Sequence, residues 1–114
     1  MKVTAKTAAS PDALVTICDF SPPRGAQARA IEDAKLLSQA DFLSVAYLPG
    51  RVPRVDSAML GTAIQQRAGI DVVFNLATRD MNKLAIQSLL LGAQLNGLEN
   101  VVVVATGDAV LVGT

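Results

Sequence analysis

The 114-residue sequence has no histidine and no tryptophan, one cysteine and one tyrosine, and only 4% of it is aromatic. Without histidine, the chain lacks the commonest general base and the commonest metal ligand. A zinc centre of Cys/His type and a Cys–His nucleophile pair are excluded on composition alone. Cys18 is the lone cysteine, so no disulfide closes within the chain, which fits a reducing compartment. An excess of one charge is also missing, since ten basic and ten acidic residues cancel. With no broad basic field, neither nucleic acid nor an anionic membrane is an expected partner. No apolar run reaches the roughly 18 residues of a membrane span. Asp12 interrupts the N-terminal segment before a signal-type apolar core forms. A cytoplasmic protein is the expectation.

What is present is apolar. With 51% hydrophobic and 18% charged residues, the chain has the means to build one domain with a real core. Strand and helix signals alternate along it. Residues 13–20, "ALVTICDF", read as a strand ended by Pro22 and Pro23, which cannot donate to a ladder. Residues 26–39 read as a helix with Ala30, Ile31, Ala34 and Leu37 on one face. Residues 42–48 read as a second strand, followed by the loop "PGRVPR". Ser57 reads as the N-cap of a helix over 58–68 that turns Met59, Leu60, Ala63 and Ile64 to one side and stops at Gly69. A third strand spans 70–76. Thr78 or Asp80 is the expected cap of the longest helix, 81–96, which ends at Gly97. A fourth strand, 100–106, is apolar nearly throughout, as a parallel strand covered on both faces should be. The order βαβαβαβ with short connections predicts an α/β fold with a parallel sheet in sequential order and its helices on one face.

In such folds the working groups lie at the carboxyl ends of the strands. Here those ends carry Asp19, Tyr47, Asn75 and the pair Gly107-Asp108. Two carboxylates and an amide are thus expected on one rim. A glycine before Asp108 would let a flat ligand approach the backbone. Acids at these places also suit turns and helix starts, and pattern alone leaves both readings open. Arg51 and Arg54 read as solvated loop residues, with phosphate binding the alternative. Arg24 either orients a carboxylate or lies along the surface at a helix start. Cys18, inside the first strand, reads as a small core residue.

Three stretches carry a family resemblance. "DFSPPRG" from Asp19, "NLATRDMN" from Asn75 to Asn82, and "LAIQSLLLGAQLNGLENVVVVATGD" from Leu84 to Asp108 resemble segments of methylenetetrahydrofolate reductases, in the branch with TRD and TGD motifs. The last of the three is long and ordered, and therefore the most specific. The resemblance runs from about Val15 to Asp108. It implies the first half of a TIM (β/α)8 barrel, FAD as cofactor, NAD(P)H as electron donor and a folate as substrate. Flavin-dependent reduction of 5,10-methylenetetrahydrofolate to 5-methyltetrahydrofolate, in one-carbon and methionine metabolism, is the implied activity. Asp19 stands where the family has the glutamate that protonates the folate as its methylene bridge opens. Asp108 stands where the family's acid lies by the flavin and pterin rings, with Thr106 and Gly107 lining the flavin beside it. Asn75 replaces the family's usual histidine at the flavin, keeping a donor but losing the ring. Ala46 stands where many members place a threonine near the flavin phosphate.

A closed barrel of this type takes roughly 250 residues. The chain is therefore expected to supply an incomplete barrel: an N-terminal extension over 1–13, four strands with their helices over 14–108, and a tail over 109–114. The alternative expectation is a non-catalytic half-barrel module. It would associate with itself or with a complementary half-barrel chain through open edges such as Val101–Val104.

Overall fold

The structure, a computed structural model, describes residues 1–9, 12 and 14–104. Four strands, β1 (Ile17–Phe20), β2 (Phe42–Val45), β3 (Val72–Ala77) and β4 (Asn100–Val104), form one sheet in the order β1-β2-β3-β4. Every neighbouring pair is parallel. Among the described residues, four α-helices accompany them: α1 (Val3–Ala9), α2 (Arg29–Lys35), α3 (Ser57–Ala68) and α4 (Lys83–Leu95). The sequential parallel order is that of half a (β/α)8 barrel, as the alternation predicts.

The pleat divides the sheet residues between two faces. On the outer face Leu43, Val45, Val72, Phe74 and Leu76 are buried in one cluster with Ala30, Ile31 and Ala34 of α2, Ala58, Leu60 and Ile64 of α3, and Ala93 of α4. Cys18 packs against the same cluster, so it is the core residue expected. Small residues let the helices come close. At Gly61 of α3, an added Cβ would stand 2.9 Å from Val72 Cγ1. The inner face carries Ile17, Asp19, Phe42, Ser44, Val73, Asn75, Ala77, Asn100, Val102 and Val104, by alternation with the outer set.

Several local expectations are corrected. Asp56, not Ser57, caps α3: its carboxylate accepts from the Met59 N–H at 3.0 Å. Ser57 is the first residue inside the helix, and its hydroxyl is used elsewhere. Asn82, not Thr78 or Asp80, caps α4 by accepting from the Ala85 N–H at 2.8 Å. Thr78–Asp80 form a separate 3-10 turn after β3. Met59 is 73% exposed rather than core, while Leu60 and Ile64 carry that face. Helix α2 is shorter than its apolar pattern, because no side chain caps its start and Leu36 to Ser38 continue as tight i to i−3 turns. The stops at Gly69 and Gly97 hold, and both glycines take the positive φ, +69° and +79°, that a side chain disfavours.

Helix α1 lies within the segment expected to be only an extension. It lies across the amino ends of β2, β3 and β4. The Met1 amine meets Asp71 Oδ1 at 2.9 Å and Glu99 Oε1 at 3.3 Å. The Val3 N–H donates to Asn100 Oδ1 at 2.8 Å, and Lys6 Nζ meets Asp41 Oδ1 at 2.6 Å. No helix among the described residues is long and apolar enough to cross a membrane.

Candidate functional site

The carboxyl half of the inner face is where sequence reasoning places the site. Strand β1 delivers Asp19 there. Its neighbours Cys18 and Phe20 turn to the core, so alternation sends the carboxylate to the opposite side, where it is exposed. Asp19 is in register with Ser44 of β2, and Ser44 is in register with Val73 of β3. Two residues further along β3 stands Asn75, on the same face. Acid, hydroxyl and amide therefore follow one another across three neighbouring strands.

The amide of Asn75 is held by two bonds. Its Nδ2 donates to Ser44 Oγ at 3.0 Å and to the Val45 carbonyl at 2.7 Å. A carbonyl only accepts, so the Val45 contact fixes which end of the amide is nitrogen. Both N–H groups are thus engaged, and among the described residues nothing donates to Oδ1. No side-chain nitrogen or oxygen among the described residues is buried without a partner. From below, the Asn75 backbone carbonyl accepts from Ser57 Oγ at 2.5 Å. The buried hydroxyl at the start of α3 thereby fastens the helix to the strand under the site. The donors of Asn75 are engaged within the sheet, and among the described residues its oxygen is the end without a partner.

Ala46 follows β2 and continues its pairing, its N–H bonding to the Phe20 carbonyl at 3.0 Å. Thr106, Gly107 and Asp108 lie outside the described residues.

Tyr47 does not join Asp19 and Asn75. It stands among Asp80, Arg79 and Asp56, where burial first and the Asp80 carboxylate second push its phenol above the ordinary value. The Arg79 guanidinium, 3.3 Å away, holds the Asp80 carboxyl below the usual carboxylate range. Arg51, Arg54, Arg79 and Asp80 line a cavity of about 590 Å³ beside this group. Arg54 is not the solvated residue expected. Its Nε donates to the Pro49 carbonyl at 3.0 Å and its Nη1 to the Pro22 carbonyl at 2.8 Å, pinning two loops together. Arg24 is exposed on its loop.

Sequence reasoning missed Ser44 and Ser57. Ser44 had a signal, because it is the one polar residue in "FLSVA" and shares its strand face with Ala46. Ser57 had only a misleading one, since a serine just before an apolar helix reads as a cap.

Comparison with protein-family models matches residues 4–113 to the family described as methylenetetrahydrofolate reductase. No curated protein matches the chain. The family is built on a TIM barrel, whose first four strands have the parallel sequential order found here. The matched stretch takes in β1 to β4 and all three motifs at the strand ends, and the chain belongs to the methylenetetrahydrofolate reductase family.

Proposed function

We propose that the chain serves flavin-dependent reduction of 5,10-methylenetetrahydrofolate to 5-methyltetrahydrofolate, in the cytoplasm, as part of one-carbon and methionine metabolism. The observation that carries this reading is the row Asp19, Ser44, Asn75 on the inner face of a sheet of this family. Bound FAD supplies the hydride relay between NAD(P)H and the folate. The residues present suit such a group: Ala46 and Asn75 offer a flat ring a small wall and a polar anchor. Asp19 is exposed on the inner face and acts as the acid that protonates the departing folate nitrogen when the methylene bridge opens. By the family resemblance, Asp108, with Thr106 and Gly107, would hold the flavin and the folate and tune the flavin by its charge.

The purified chain, mixed with FAD and desalted, should retain a flavin spectrum that NADH or NADPH bleaches. A colourless protein that neither retains FAD nor consumes nicotinamide overturns the reading.

One observation favours a second, non-catalytic role. Leu84, Leu91 and Leu95 of α4 are 76%, 68% and 87% exposed. Such a stripe suits a half-barrel module that associates with itself or with a complementary chain. Sedimentation across micromolar concentrations tests this, and a monodisperse monomer contradicts it.

A further inference from the structure

Asn75 has an amide with two ends, and among the described residues only its oxygen lacks a partner. Its Nδ2 hydrogens are committed to Ser44 Oγ and the Val45 carbonyl. A single bond to Val45 would leave the second hydrogen free to meet a ligand. Ser44 removes that freedom. We infer that Ser44 is a positioning residue that makes Asn75 a pure hydrogen-bond acceptor on the inner face, so that the ligand group seated against Asn75 is a donor. The inference rests on the flavin reading proposed above and narrows it: the flavin presents its ring N–H or a ribityl hydroxyl at this point, not a ring carbonyl.

Three features make the acceptor rigid. Ser57, 2% exposed, clamps the Asn75 carbonyl from the helix side, so the backbone under the amide is fixed. Ser44 and Val45 stand on the neighbouring strand, whose register with β3 is set by Leu43↔Val72 through Val45↔Phe74. The Ser44 hydroxyl accepts from Asn75 and keeps its own hydrogen to donate. The residue in register with it on the far side is Asp19. One serine thus sits between the amide that anchors and the acid that donates a proton.

In an oxidised flavin the available donors are the ring N3–H and the ribityl hydroxyls. Binding of flavins to the full chain, followed by quenching of their fluorescence, separates the two. Wild-type protein should bind lumiflavin about tenfold more tightly than N3-methyllumiflavin if the ring N–H is the donor, or riboflavin about tenfold more tightly than lumiflavin if a hydroxyl is; tenfold is the scale of one hydrogen bond. The preference should vanish in Asn75→Leu and shrink in Ser44→Ala, where the second Nδ2 hydrogen is released. No discrimination by the wild-type protein between these ligands overturns the inference, without any variant having to fold. So does an unchanged preference in Asn75→Leu. Failure of the wild-type protein to bind FAD, riboflavin or lumiflavin at all overturns the flavin reading itself, and this inference with it.

Discussion

Ser57 Oγ donates a 2.5 Å hydrogen bond to the backbone carbonyl of Asn75, joining the first turn of α3 to the strand position on which the candidate site is centred. The bond spans 18 residues of sequence and lies beneath the surface. Ser57→Ala leaves that carbonyl short of a partner in a buried place. We expect a loss of about 1–3 kcal/mol of stability, measured by urea unfolding. Flavin affinity should fall as well, because the support under Asn75 loosens. A variant as stable as wild type would mean that the serine is incidental.

Two helix glycines should respond in opposite directions. Gly61→Ala places a Cβ 2.9 Å from Val72 Cγ1, in the packed seam between α3 and β3. Overpacking of that kind costs about 1–3 kcal/mol, which outweighs the gain of up to about 1 kcal/mol from better helix propensity. Gly92→Ala of α4 meets nothing within 4 Å and should keep the propensity gain. Thermal melts of the two variants, run side by side, check the contrast.

The anchoring of α1 should depend on pH in two directions. The Lys6 ammonium, and after it the Thr16 backbone N–H, hold the Asp41 carboxyl below its ordinary value. Its contribution is therefore complete above the unfolded value and is lost as pH falls through the folded one. The Met1 amine is raised, chiefly by its hydrogen bond to Asp71. Its contribution is complete below the unfolded value and is lost as pH rises through the raised one. Hydrogen exchange of the Val3 amide should be slowest, after correction for intrinsic rates, between these limits. Asp41→Asn should weaken the acid limb, leaving the Met1 contacts to Asp71 and Glu99, and keep the alkaline limb in place.

Asp19 and Asp108 should separate when the two half-reactions are followed by stopped flow. Asp19→Asn should leave flavin reduction by the nicotinamide nearly intact and lower folate reduction by about 10²-fold or more, the usual scale for a positioned acid. Asp108→Asn should alter flavin reduction and folate affinity together. Asp19→Glu lengthens the acid by one methylene to the family's residue and should raise folate reduction if reach is limiting. Equal losses in both half-reactions for Asp19→Asn would make the residue structural.

Strand and helix order, the parallel sheet and the core stripe of Ala30, Ile31 and Ala34 were legible from the sequence, because each follows from local periodicity. The placement of Asp19 was legible too. Alternation along "ICDF" sends it opposite Cys18 and Phe20, whatever the rest of the chain does. Other features depended on residues far apart in sequence. The caps fell to Asp56 and Asn82 because Ser57 found a better acceptor in β3 and Thr78–Asp80 turned separately. Helix α1 has little apolar pattern to announce it, and its anchors are acids and an amide at the amino ends of three strands. Whether Asn75 offers a donor or an acceptor was beyond any local rule. An amide carries both ends, and strand register alone decides which of them meets Ser44 and Val45.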